Sequence, residues 1–183
     1  AYEKILDTAQ KYMDEFDLGI NWEYLRRVTL NQGYTLNTYI NSMADQLHPN
    51  VLKTTLLNLG YEAFYNGTRT IREMRKIHNC NIPWIILMDP TSACNLHCTG
   101  CWAAEYGNKL NLTFDEMDSV ITQGKELGIY FYMLTGGEPL VRKKDVIALC
   151  KKHNDCIFLA YTNGTLVDEE LCRQMQEAGN LFL

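Results

Sequence analysis

The chain has 183 residues, 46% hydrophobic and 21% charged, which excludes disordered and fibrous classes and suffices for a globular domain with a smaller appendage. A formal net charge of −5 argues against a general nucleic-acid binder, because neutralising phosphates needs a basic surface. The longest apolar run, Trp84 to Met88, is far short of the roughly 20 residues of a membrane span, and the chain opens on no apolar leader core.

Residues 1–79 read as helical. Tyr2, Ile5, Leu6, Ala9, Met13 and Phe16 recur at helical spacing, and Gly19, Gly33, Pro49 and Gly67 mark breaks between four or five short helices. After Pro49, Val51, Leu52, Leu56, Leu57 and Leu59 form an amphipathic stripe. Arg69, Arg72, Arg75 and Lys76 then read as a solvated helix face, with an anionic partner or surface as the alternative.

From residue 82 the pattern becomes short apolar runs alternating with longer amphipathic segments, the signature of βα units on a parallel sheet. A first strand is expected over about 84–88. Thr113-Phe114-Asp115-Glu116 reads as a capping box opening a helix to about Leu127, stopped by Gly128. A second strand follows over Ile129 to Leu134, a second helix over about 142–153, a third strand over Cys156 to Tyr161 and a third helix over Asp168 to Ala178. Gly179 closes that helix, and Leu181-Phe182-Leu183 opens a fourth strand. A chain starting at Ala1 and ending in a strand is expected to be an excerpt of a longer protein, divided into a helical subdomain, 1–81, and an α/β part, 82–183.

Seven cysteines, an odd number in a chain that needs no disulfide to build a core, point to reduced thiols and a cytoplasmic location. Cys80, Cys150, Cys156 and Cys172 are scattered and read as small buried thiols. Cys94, Cys98 and Cys101 share one loop directly after the first strand, at the strand end where parallel α/β architectures assemble their sites. Three thiolates spaced this way can hold three corners of a four-iron cluster and leave one iron without a protein ligand. Zinc held by the same cysteines with His97 or an outside ligand is an alternative, as is a redox dithiol at Cys98 and Cys101. Asp89 and Glu105 flank the loop as polar candidates.

Cys94-x3-Cys98-x2-Cys101 after a first strand resembles the defining motif of the radical S-adenosylmethionine (radical SAM) superfamily. The resemblance implies a partial (β/α) barrel carrying a 4Fe-4S cluster whose open iron is chelated by S-adenosylmethionine. Reductive cleavage then yields a 5′-deoxyadenosyl radical that abstracts a substrate hydrogen. It further implies an external electron donor such as flavodoxin or ferredoxin, and a peptide or small-molecule substrate. Many members place an aromatic residue before the third cysteine; this chain has Gly100 there and Trp102 just after.

Gly136-Gly137-Glu138-Pro139, at the end of the second strand, combines glycines that let backbone approach a ligand with a carboxylate able to receive an amine. It resembles the family's second hallmark, which implies a seat for the methionine amine. Tyr161-Thr162-Asn163-Gly164-Thr165, after the third strand, resembles the family's Thr-Asn-Gly turn, and Thr162 and Asn163 offer short polar groups suited to a ribose or carboxylate. The texture is similar to the branch of molybdenum-cofactor synthesis and peptide maturation enzymes, some with further cluster cysteines in a later domain. The alternative to an enzyme is a non-catalytic zinc module or a thiol redox protein. No catalytic side chain is assigned, and His48, His78 and His153 stand alone in the sequence.

Overall fold

The computed structural model describes residues 2–16, 19–103, 107 and 109–183. The chain forms two compact units, Ala1–His48 and Pro49–Leu183. The first holds helices α1 (Tyr2–Met13), α2 (Trp22–Leu30) and α3 (Thr35–Gln46). Leu6, Phe16 and Val28 are buried in it. Asn21 caps α2 by accepting from Tyr24 N at 2.8 Å, and buried Asn37 donates to the Thr29 carbonyl at 2.6 Å.

In the second unit, α4 (Pro49–Thr54) runs without interruption through a π-helical stretch, Thr55–Gly67, into α5 (Thr68–His78). The expected break at Gly67 does not occur. Gly67 keeps helical angles, φ −63° and ψ −45°, and its missing side chain serves packing instead. A Cβ there would be driven into the Gly128 carbonyl, and a Cβ on Gly128 would meet the Gly67 carbonyl at 2.7 Å. Two facing glycines thus let the helix cross directly over the turn before the second strand. Asn58 fastens the same helix to the sheet, donating to the carbonyls of Asn154 (2.7 Å) and Cys156 (3.0 Å), while Trp84 Nε1 donates to the Ala63 carbonyl at 3.1 Å. Contacts therefore divide the chain between His48 and Pro49, whereas the sequence pattern changes near residue 82. Arg69, Arg72, Arg75 and Lys76 lie on an exposed face.

Four parallel strands, β1 (Ile85–Thr91), β2 (Phe131–Gly136), β3 (Ile157–Ala160) and β4 (Leu181–Phe182), lie side by side in chain order. The register pairs Ile85 with Phe131, Phe131 with Ile157, and Phe158 with Leu181. The crossover helices are α6 (Phe114–Glu126), α7 (Lys143–Lys152), preceded by a 3₁₀ turn at Pro139–Arg142, and α8 (Glu169–Ala178). The capping box forms as its residues require: Thr113 Oγ1 accepts from Glu116 N at 3.2 Å and Glu116 Oε2 accepts from Thr113 N at 2.7 Å.

Tyr132, Leu134 and Phe158 project to the helix-covered face, where they pack with Met117, Ile121, Val146, Leu149 and Leu171 into the main core. On the opposite face Leu87 is 55% exposed and its register partner Met133 is half-buried. Helices on one face and an open second face are the pattern of the first strands of a (β/α) barrel. The second strand starts two residues later than the apolar run suggests. Ile129 N is taken up by the Gly124 carbonyl at the end of α6, so Ile129 closes the turn before pairing begins. Among the described residues, no helix is long and apolar enough to cross a membrane.

Candidate functional site

The cysteine loop leaves β1 at Thr91, where an irregularity in pairing between Met88 and Thr91 turns the chain over the ends of β1 and β2. Its stem is fastened on three sides. Gly137 N donates to the Thr91 carbonyl at 2.9 Å and Glu138 N to the Ala93 carbonyl at 2.8 Å. Thr91 Oγ1 accepts from Ala93 N at 2.9 Å and donates to Asn111 Oδ1 at 2.6 Å. Ser92 N donates to the Leu110 carbonyl at 2.8 Å, so the returning segment 110–112 lines the other edge of β1.

All seven cysteines are free; Cys94 and Cys101 are half-buried and Cys98 is exposed. Leu96 N donates to Cys94 Sγ at 3.4 Å, and Cys101 N donates to the Cys98 carbonyl at 3.2 Å, closing a turn between the last two thiols. Among the described residues no group of three His, Cys, Asp or Glu side chains is drawn together as a site for one metal ion. Three unpaired soft donors on one fastened loop nevertheless match what an iron–sulfur cluster needs. His97 is exposed, and Glu105 lies outside the described residues.

The structure brings the second and third motifs against this stem, in a manner the sequence did not reveal. Gly136 adopts φ +99°, a conformation natural to glycine, and Gly137 packs so tightly on the loop that a Cβ would meet the Ser92 carbonyl oxygen at 2.6 Å. Glu138 is only 1% exposed. Its Oε1 accepts from Leu140 N (2.9 Å) and Thr162 Oγ1 (2.7 Å), and its Oε2 accepts from Asn163 N (2.8 Å). The carboxylate that the resemblance offers to an amine thus already accepts three hydrogen bonds from the protein's own donors. Pro139 is buried at the start of the 3₁₀ turn.

Asn163 extends the network. Its Nδ2 donates to Asn95 Oδ1 at 2.9 Å, and Asn95 Nδ2 donates to Thr165 Oγ1 at 2.7 Å. Glu138, Thr162, Asn163 and Asn95 thus connect the ends of β2 and β3 to the residue after Cys94. Asn95 is a functional candidate that sequence reasoning missed, since nothing in its spacing signals a partner 68 positions away.

Asp89 is set apart. Its Oδ1 is buried and has no hydrogen-bond partner among the described residues, and loss of hydration holds the carboxyl above the usual carboxylate range. The remaining cysteines divide: Cys150 and Cys156 are buried, and burial pushes both thiols up, whereas Cys80 and Cys172 are exposed, correcting the expectation that all four are buried. His153 does not stand alone either; its Nε2 lies 2.9 Å from Asp118 Oδ1.

The model of the family described as the radical SAM superfamily matches residues 88–183, just over half the chain. An AdoMet-dependent heme synthase of Methanosarcina barkeri is 35% identical over 104 residues, covering 54% of this chain and 29% of that protein. A GTP 3′,8-cyclase of Peptoclostridium acidaminophilum is 36% identical over 97 residues, covering 49% of this chain and 29% of the cyclase. The chain therefore spans less than a third of the length of these curated relatives. Among solved structures, SuiB of Streptococcus suis bound to S-adenosylmethionine shares the fold with a TM-score of 0.51 at 16% identity, covering 82% of this chain and 37% of SuiB.

Proposed function

Since the chain belongs to the radical SAM superfamily, we propose that it is the cluster- and cofactor-binding part of an enzyme in which Cys94, Cys98 and Cys101 ligate a 4Fe-4S cluster. When bound, that cluster supplies the electron that splits S-adenosylmethionine into methionine and a 5′-deoxyadenosyl radical, which takes a hydrogen from substrate. The observation that carries the reading is the loop itself: three free thiols held over the ends of two parallel strands by Gly137 and Glu138.

The protein's own residues position and enclose. Gly136, Gly137 and Pro139 bring backbone to the cofactor side of the loop. With the Glu138 carboxylate and N–H both engaged internally, that corner offers glycine backbone outward. Thr162 and Asn163 act through Glu138 and Asn95, setting the height of the loop above β3. Reduced thiols throughout fit work in the cytoplasm, with electrons delivered by an external carrier such as flavodoxin or ferredoxin. The relatives are named for a heme synthase and a GTP cyclase, and SuiB has also been solved with the precursor peptide SuiA.

Anaerobic reconstitution with iron and sulfide tests the proposal. The expected result is broad visible absorbance and about four irons per chain, lost on Cys94→Ser, Cys98→Ser or Cys101→Ser. Tight stoichiometric zinc with no cluster uptake overturns it.

A further inference from the structure

The helix over residues 49–78 fastens the turns that lead into three strands. Asn50 Nδ2 donates to the carbonyls of Gln176 (2.9 Å) and Glu177 (2.8 Å), and Thr54 Oγ1 to that of Gly179, all at the turn between α8 and β4. Asn58 holds the turn before β3, and Gly67 packs on Gly128 before β2. Between and beyond them, Ala63 is buried with its carbonyl taken by Trp84, and Ile71 lies in the main core.

These six residues follow one another at steps of 4, 4, 5, 4 and 4. An α-helix turns once in about 3.6 residues, so each step of four drifts by about 40° and the step of five by about 140°. An α-wound chain that kept Gly67 on Gly128 would carry Thr54 about 140° away from Gly179, and only one end could be fastened. Pairing of each amide with the carbonyl five residues back widens the turn to about 4.4 residues, so the 13 residues of Thr55–Gly67 make about three whole turns. The π winding is what keeps both ends on one face. Such pairing is mostly confined to single turns elsewhere, and a run this long is held from outside.

The two ends are held unequally. Gly67 and Ile71 are packed into the unit, whereas Asn50 and Thr54 rest on hydrogen bonds to the carbonyls of one turn. On the outer face Leu56, Leu57, Tyr61 and Phe64 are exposed, and a Cβ on Gly60 would meet nothing within 4 Å among the described residues, so no contact there opposes rewinding.

We propose that residues 55–67 are a two-state winding device: π-helical while Asn50 and Thr54 hold the α8–β4 turn, and α-helical when that turn lets go. Rewinding about the fixed Gly67 end carries Leu56 about half a turn round, so the docking of the third βα unit is reported as a change in the face this helix presents. The device works without a cluster and is independent of the function proposed above.

Nuclear magnetic resonance couplings across hydrogen bonds in the full chain identify the acceptor of each amide. In the parent protein the amides near the end of the stretch are expected to pair with the carbonyl five residues back. In Asn50→Ala/Thr54→Val they are expected to shift to the carbonyl four back. Deletion of Gly60 and Tyr61 together, both on the outer face, turns the steps 4, 5, 4 from Thr54 to Gly67 into 4, 3, 4, the spacing of an α-helical face. That protein is expected to pair four back throughout and to melt no lower than the parent. Five-back pairing that persists in Asn50→Ala/Thr54→Val, or four-back pairing in the parent, overturns the proposal. A deletion protein that is unfolded or melts several degrees lower also overturns it, and it decides alone if the double variant fails to fold.

Discussion

Gly137→Ala tests whether the end of β2 sets the height of the cysteine loop. A Cβ at 137 would be driven into the Ala93 carbonyl, with Ala93 C and the Ser92 oxygen each 2.6 Å away. All three are backbone atoms, so no side chain can swing aside; the residue before Cys94 must move. That movement loosens two hydrogen bonds, Gly137 N to the Thr91 carbonyl (2.9 Å) and Glu138 N to the Ala93 carbonyl (2.8 Å). At about 0.5–1.5 kcal/mol for each bond and about 1–3 kcal/mol for overpacking, the expected loss is about 3 kcal/mol. For a chain of this size it lowers Tm by roughly 6–12 °C. Calorimetry on the cluster-free protein reads the stability, and iron and sulfide content after reconstitution reads the loop. Gly100→Ala is the control: its φ is +75° but nothing lies within 4 Å, so the cost is the left-handed backbone penalty alone, about 1 kcal/mol. A Gly137→Ala protein that melts within about 1 °C of the parent and takes up the same iron would mean that the end of β2 does not hold the loop in place.

His153 predicts a pH dependence. Burial, outweighing the hydrogen bond that Asp118 accepts, holds its pKa below the ordinary value of 6.5, so the native state prefers the neutral ring. Stability is then full above about pH 6.5 and falls as pH drops from there through the lowered native value; urea midpoints between about pH 8 and pH 5 should show the fall, and His153→Phe should flatten it. An identical slope in both proteins rules out His153 as the cause. Asn58→Ala should cost about 2 kcal/mol by leaving the Asn154 carbonyl without this donor and the Cys156 carbonyl with Asn180 Nδ2 alone, read as a lower urea midpoint for the sheet-bearing unit. An unchanged midpoint means the 49–78 helix does not support the sheet as described.

The elements were legible where their signals are local. The Thr113–Glu116 capping box, the left-handed stops at Gly128 and Gly179, and the order of four strands all depend on residues close in sequence, and they form as read. Gly67 misled because a glycine inside a helix and a glycine that ends one look alike until the partner is known, and the partner, Gly128, is 61 positions away. Likewise the acid of Gly-Gly-Glu-Pro was visible, but not its engagement. That depends on β3 lying next to β2, which delivers Thr162 Oγ1 and Asn163 N to the carboxylate. The special position of Asp89 was hidden for the same reason, since the cavity it lines with Leu110, Leu112 and Gly136 exists only once segment 110–112 folds back along β1.

These nonlocal bonds bear on the cluster ligation proposed for the thiols. A flexible loop closing on a cluster loses backbone freedom at each residue it orders, about 1–2 kcal/mol apiece. Here much of that ordering precedes the cluster. Ala93 is held by Glu138 N, Asn95 by Asn163 and Thr165, and the Cys98–Cys101 turn by its own backbone bond. Cys94 therefore sits between two anchored neighbours, while Cys98 is exposed and opens the turn that Cys101 N closes. The arrangement places rigidity at the strand ends, where position relative to a cofactor matters. On the ligation proposed above, Glu138 acts on the thiols through the ordering of the loop, by its bonds to Ala93 and Asn163.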